Sequence, residues 1–555
     1  MASTASLLKD LEAAVRRFGP GAAPHKLVLL RALLGRRLAR ASQVLRLHDA
    51  LCYLRALPDD AEVLAVVEDG LASFGDRQDL ATFRDELEDS GMAGTVIRFP
   101  FDAATAQWLA ARWPGHLRID WPRVENDDRL MERLYLLALD AETPGLDNAK
   151  ASPRAWLDRM RGPGETDAEF VAKRFAQLPW PLFLRGWMHD DTNLPLRLEP
   201  GPDTPTRTHA RLPGGRVVMQ TRPLAGRPDL RRAARRGPRE LRRLSSREGA
   251  AVVDLTRAAM ATRARYLDAF SDADPDDVTL ADAGGGLAFA VIGVRPEGRM
   301  LLETVHGWLM LRNRVPIGYV LSSAFLGCSE IAFNLFPTWR GGDAAWIYGR
   351  AVATARALYG SDTFSVDPYQ LGHENAEGLA SGAWRFYQKL GFRPRDPDTV
   401  ALMHEELARI AKDRAHRSSR TTLRRLAREP MYLSLGRAQR NANEVLAGVG
   451  LAATRLLATR YGADRERGER ACVREATERY GVRSRARWTA GEKLMWRRWS
   501  PILVLLAERE EWSRAEAAAV VRVVRAKGAA REWDYVDALR DQPGLQRALM
   551  ALARS

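Results

Sequence analysis

Two short stretches carry residue types that could do chemistry together. The first is "LFPTWRGGDAAW" (335–346) and the second is "AWRFYQKLGFRP" (383–394). In the first, Trp339, Arg340, Gly341, Gly342, Asp343, Ala344 and Ala345 form a tight turn that runs into an apolar, helix-like segment. Free backbone N–H groups of such a turn, and of the helix start behind it, converge on one point and can hold phosphate oxygens. In the second, Tyr387 carries a phenol whose reference pKa is about 10, so it holds its proton at neutral pH. Glu330 lies just upstream of the first stretch, a carboxylate in strand-like text. Strand alternation leaves open whether it faces a cleft or water. Asp367, His373 and Glu374, in "VDPYQLGHEN", are further acid–base candidates on a loop, where polarity alone also explains them.

The surrounding text has to position these groups. "GLAFAVIGV", "MLLETVHGWLML", "VPIGYVLSSAF" and "CSEIAFNLF" read as strands, with a short turn at Asn313–Arg314. "DAAWIYGRAVATARALYG" reads as a long helix closed by Gly360. "DTFSVD" follows as a short strand, then "AEGLASGAWRFYQKL" as one helix. Gly391 suits the left-handed position at that helix's end, and Phe392 would re-enter the core.

This order of elements resembles the GNAT superfamily of acyl-CoA-dependent N-acyltransferases. "EIAFNLFPTWRGGDAAWIYGRAVATARALYG" is similar to the strand, loop and helix in which the family's Arg/Gln-x-x-Gly-x-Gly/Ala loop holds the CoA pyrophosphate. Ala383, Phe386, Tyr387, Lys389, Leu390, Gly391 and Phe392 match the family's A-x-x-F-Y-x-K-L-G-F signature. The resemblance covers about 100 residues well. It extends to about 180 if "RVVMQTRP" (216–223) and the helix at 249–270 supply the first strand and helix. It implies an α/β domain with a mixed sheet, an acyl-CoA substrate, an amine acceptor and no metal. It further implies that Tyr387 protonates the departing thiolate, that Glu330 or a water acts as base, and that residues 339–345 bind the cofactor. Two positions depart from the pattern. Asp343 falls where a glycine is expected, at a helix start that its carboxylate could cap. Ala380 stands where an asparagine usually precedes the tyrosine, with Asn375 further upstream. A catalytically inactive GNAT-like scaffold, with function in the flanks, is therefore the alternative expectation.

Length and charge frame this core. A chain of 555 residues exceeds what one hydrophobic core usually supports, which implies several domains. We expect a mostly helical region at 1–196 and a Pro/Gly-rich, Arg-rich boundary at 197–250. The GNAT-like domain should span 251–400, and a helical, basic region 401–555. Trp108, Trp113 and Trp121 read as core or as a seam between domains. The net charge of +15 favours anionic partners. The nine arginines of 227–247 could touch nucleic acid, but interleaved acids make a solvated surface the better expectation. Three distant cysteines, Cys52, Cys328 and Cys472, argue against a disulfide framework and for a reducing, cytoplasmic setting. No apolar run approaches the ~18 residues of a membrane span, and the N-terminus reads as an amphipathic helix rather than a signal peptide.

Overall fold

The computed structural model describes residues 3–125, 128–413, 415–436 and 441–554. Its centre is a nine-stranded mixed sheet, built from β1 (Glu240–Arg243), β2 (Ala273–Gly284), β3 (Leu287–Val294), β4 (Thr304–Arg312), β5 (Val315–Phe325), β6 (Cys328–Leu335), β7 (Thr363–Val366), β8 (Arg393–Pro394) and β9 (Met431–Ser434). The spatial order is β8-β9-β7-β6-β5-β4-β3-β2-β1. Neighbours are antiparallel except β6 and β7, which run parallel. A parallel pair needs a crossover, here helix α2 (Ala344–Tyr359), which ends at Gly360 with φ 67°. The β4–β5 hairpin turns through Asn313 and Arg314, both at positive φ (46° and 68°). Two such residues make the turn whose twist matches the strands.

Helix α1 (Ser246–Ala261) opens with Ser245 and Glu248 in a reciprocal cap and packs on β2. Helix α2 packs against β6 through Phe333 and Tyr348, whose rings stand 5.3 Å apart edge to face.

Several expectations change. Residues 216–223 form no strand. That segment pairs with no strand: the Val218 N–H donates to Asn313 Oδ1 (2.9 Å), Asn313 Nδ2 donates to the Val218 carbonyl (3.0 Å), and the Gln220 N–H donates to the Pro58 carbonyl (2.7 Å). The first strand lies instead inside the arginine run, as β1. All four of its residues are exposed, on the sheet edge, and charge on an edge strand discourages further pairing. The sheet also continues past 400, because β9 inserts between β7 and β8. The stretch expected as one helix is two, α3 (Ala376–Ser381) and α4 (Ala383–Lys389), broken at Gly382 with φ 71°.

The N-terminal 200 residues form two units. Helices Thr4–Ala14, Ala22–Leu34, Ala41–Ala56 and Ala61–Ala72 share a hydrophobic core with the central sheet. A second unit has its own core around a small sheet of Ile97–Phe99, Leu196–Leu198 and Leu117–Ile119. Trp108 of that unit donates to Asp254 of α1 (2.9 Å), so it sits at a seam, while the Trp121 indole donates to Asp167 within the unit (2.7 Å). The C-terminal helices between 442 and 552 surround a third core. No helix among the described residues is long and apolar enough to cross a membrane. Cys52, Cys328 and Cys472 are buried and free of disulfides.

Candidate active site

The parallel strands β6 and β7 separate part-way along. Their register runs Thr363↔Cys328, Phe364↔Ser329 and Ser365↔Glu330, and then stops. β6 continues to Leu335, paired only with β5. From Ile331 onward, the edge of β6 that faces β7 has no strand partner. A cleft of about 650 Å³ opens at this divergence. Its walls include Ala332, Phe333 and Asn334 of β6, Tyr319 of β5, Tyr387 of α4, and Arg265 and Asp268 from the segment after α1.

One end of the cleft is the loop between β6 and α2. A short 3-10 turn, Pro337–Trp339, leads into Arg340 and then Gly341 and Gly342, at φ 87° and 54°. Consecutive left-handed residues are why glycine is needed twice here. The helix start is sparsely satisfied. The Ala344 N–H donates to the Gly341 carbonyl (3.1 Å) and that of Ile347 to Asp343 (2.9 Å). The N–H groups of Gly341, Gly342, Ala345 and Trp346 meet no acceptor among the described residues. Arg340, Gly341 and Ala344 line the cleft. Trp339, Gly342, Asp343 and Ala345 do not. Trp339 is buried, with the Arg263 guanidinium 5.9 Å from its ring.

Asp343 corrects an expectation. Its side chain caps nothing at the helix start, although the residue occupies the N-cap position. The carboxylate is buried and turned to the Arg312 guanidinium, 3.7 Å away. Burial pushes its pKa up, against the pull of Arg312. Asp343 is not among the residues that line the cleft.

Tyr387 sits in α4 with its ring against Tyr348 (5.3 Å), Phe386 (5.1 Å) and Phe392 (5.8 Å). It is 3% exposed, lines the cleft, and makes no hydrogen bond through its hydroxyl to any described residue. Burial raises the phenol pKa, so Tyr387 stays protonated at neutral pH and remains a donor. The helix that carries it ends as the text anticipated. Gly391 has φ 102°, its N–H donates to Gln388 (3.2 Å), and the Phe392 N–H reaches back to the Tyr387 carbonyl (3.2 Å). Those two bonds are a Schellman closure, and Phe392 is fully buried behind it.

Glu330 shares a sheet face with Ala332 and Asn334, since residues two apart on a strand point the same way. It stands about 7 Å along the strand from Ala332. It opens onto a small adjoining recess with Ser323, Ser365 and Tyr432 rather than onto the cleft itself. Burial, helped by the charge of Asp367, pushes its carboxyl up to about 7. Asp367 caps the short helix Pro368–Leu371 by accepting from Tyr369 (2.8 Å), a structural use. Asn375 likewise caps α3, accepting from Gly378 (3.0 Å).

Two residues of the site had no signal in the sequence. Glu377 of α3 accepts from Arg265 at 2.9 Å and from Arg340 through its other oxygen. Arg265 and Glu377 are 112 positions apart in the chain, and no spacing rule links them. Burial acts to raise the Glu377 carboxyl, but the hydrogen bonds from Arg265 and Arg340 outweigh it and hold it below the usual carboxylate range. No protein-family model, curated protein or solved structure matches the chain.

Proposed function

We propose that the chain is an acyl-CoA-dependent N-acyltransferase of the GNAT kind, which moves an acyl group, acetyl by preference, to an amine acceptor. The observation that carries this reading is the parting of β6 from β7 beside a loop with free N–H groups. An extended thioester arm fits such a gap, because the unpaired strand edge offers backbone donors and acceptors. The unpartnered N–H of Gly341, the loop residue that lines the cleft with Arg340, suits a phosphate oxygen at the arm's far end.

The reaction follows from the groups along the cleft. The neutral amine attacks the thioester carbonyl carbon, forming the C–N bond. The tetrahedral adduct collapses, the C–S bond breaks and the electron pair leaves on sulfur. Tyr387 gives its proton to that sulfur. Glu330, half ionised near neutral pH, takes the proton lost by the amine, through a water that spans the step from its recess. Most of the acceleration comes from holding amine and thioester in line. The test is release of free CoA thiol from acetyl-CoA with a panel of amines. Tyr387→Phe should lower turnover while donor binding stays near the native level. Turnover unchanged in that variant would remove Tyr387 from the mechanism.

A second reading is a non-catalytic GNAT-like binding module. The Arg265–Glu377–Arg340 contact favours it, because that contact fills the end of the cleft where phosphates would lie. In that case acyl-CoA would bind without any amine-dependent thiol release.

A further inference from the structure

We propose that Arg265 and Arg340 form a two-guanidinium seat for the phosphate end of the donor, and that Glu377 occupies this seat while the donor is absent. The identity of the donor rests on the acyl-CoA reading above; the anion seat itself does not.

Both guanidiniums reach the cleft from different parts of the chain. Arg340 is steered by its own strand: its Nε donates to the Leu335 carbonyl at 3.0 Å, and its own carbonyl accepts from Arg16 at 3.0 Å. Arg265 comes from the segment after α1 and lines the same cleft. The two converge on Glu377, each using one carboxylate oxygen. The arrangement therefore holds two positive charges and one negative charge beside the free N–H of Gly341. The Glu377 carboxylate bridges the two guanidiniums with one oxygen to each. A phosphate offers more oxygens in the same spacing, and a pyrophosphate carries more charge.

The contact is built to exchange. The side chains of Arg265, Arg340 and Glu377 are 39%, 39% and 43% exposed, so water and salt compete for it. Glu377 sits on a six-residue helix bounded by Gly382 at positive φ, and its side chain has no partner besides the two arginines among the described residues. When an anion arrives, the carboxylate can swing to solvent without uncovering a core. The loop's own N–H groups could hold phosphate without Arg265. What the geometry adds is a residue from outside the loop and an internal competitor.

The probe is inorganic pyrophosphate, titrated by calorimetry beside acetyl-CoA, on the full chain. Four forms are compared: native, Glu377→Gln, Arg265→Ala, and the double variant. Glutamine keeps the shape of Glu377 and removes its charge. The expected result is pyrophosphate binding about tenfold tighter in Glu377→Gln than in the native chain, with the gain lost in the double variant and a parallel gain for acetyl-CoA. If Glu377→Gln tightens pyrophosphate but no form binds acetyl-CoA, the seat stands and the donor reading falls. If Glu377→Gln binds pyrophosphate no better than the native chain, or if removing Arg265 leaves the gain intact, the proposal is overturned. Circular dichroism on each form checks that the fold is retained, which the exposure of all three side chains leads us to expect.

Discussion

Two arginine–carboxylate clusters in this molecule use the same groups for opposite ends. One is the Arg265–Glu377–Arg340 contact at the cleft. The other lies where the C-terminal helices dock on the sheet. There, Arg299 donates to the carbonyls of Val294 (2.7 Å), Lys527 (2.9 Å), Ala529 (2.6 Å) and Ala530 (3.1 Å). Lys527 pairs with Glu532 and donates to the Glu303 carbonyl (2.7 Å), the Glu532 N–H donates to Asp277 (2.8 Å), and Trp533 stacks on His306 at 4.3 Å. Lys527, Glu532 and Arg299 have almost no exposed side-chain surface. Burial makes the difference. A charge with no route to water must keep its partner, so the buried cluster is a fixed joint. A charge with 40% of its surface in water can trade one partner for another, so the exposed cluster can serve a ligand.

Breaking the joint should have the largest effect. Glu532→Ala leaves Lys527 buried without its counter-charge and should cost about 3–5 kcal/mol, read as a lower midpoint in urea. A loss no larger than that of a surface substitution would mean that the C-terminal helices yield and let water reach Lys527. Next comes Tyr387→Phe, which should lower turnover by about a hundredfold or more if the phenol donates to the leaving sulfur. The Glu330→Gln variant sharpens the site from a third side. With Glu330 near 7, the native rate should rise with pH through neutrality, and the glutamine variant should lose that rise. Stability runs the other way. A carboxyl raised above its unfolded value of 4.5 adds stability at acid pH that is lost as pH climbs through about 7, so Glu330→Gln should gain on the native chain above neutrality. A denaturation series at three pH values checks that sign. The smallest effect should come from Arg265→Ala, under ~1 kcal/mol in stability, which completes the contrast with Glu532.

The parts of this site that were legible are those set by local backbone rules. Gly360 and Gly391 end helices at positive φ, and Asn313–Arg314 form the expected tight turn. The strand, loop and helix from Glu330 to Gly360 could be read because hydrophobic period and turn chemistry agree over that span. The direction of side chains could not be read in this way. Asp343 looked like a cap, and it faces Arg312 because a hairpin end 31 positions earlier packs beneath it. The strand β9 was hidden among helical text, since four residues carry little periodicity and their place is fixed by pairing with β7 and β8. The apolar run at 217–219 suggested a strand, yet the hydrogen bonds of that stretch go to the side chain of Asn313 and the carbonyl of Pro58 rather than to a strand. Arg265 and Glu377 meet only through the tertiary fold, so no local pattern announces them.

The central claim is that the gap between β6 and β7 holds an acyl-CoA. The most direct measurement is calorimetric titration of the purified chain with acetyl-CoA and longer acyl-CoAs, with Arg340→Glu as control. That variant places a negative charge at the end of the cleft proposed for the phosphates. We predict saturable, one-to-one binding in the native chain that disappears in the variant. Absence of binding for every acyl-CoA, or equal binding by both forms, would contradict the claim.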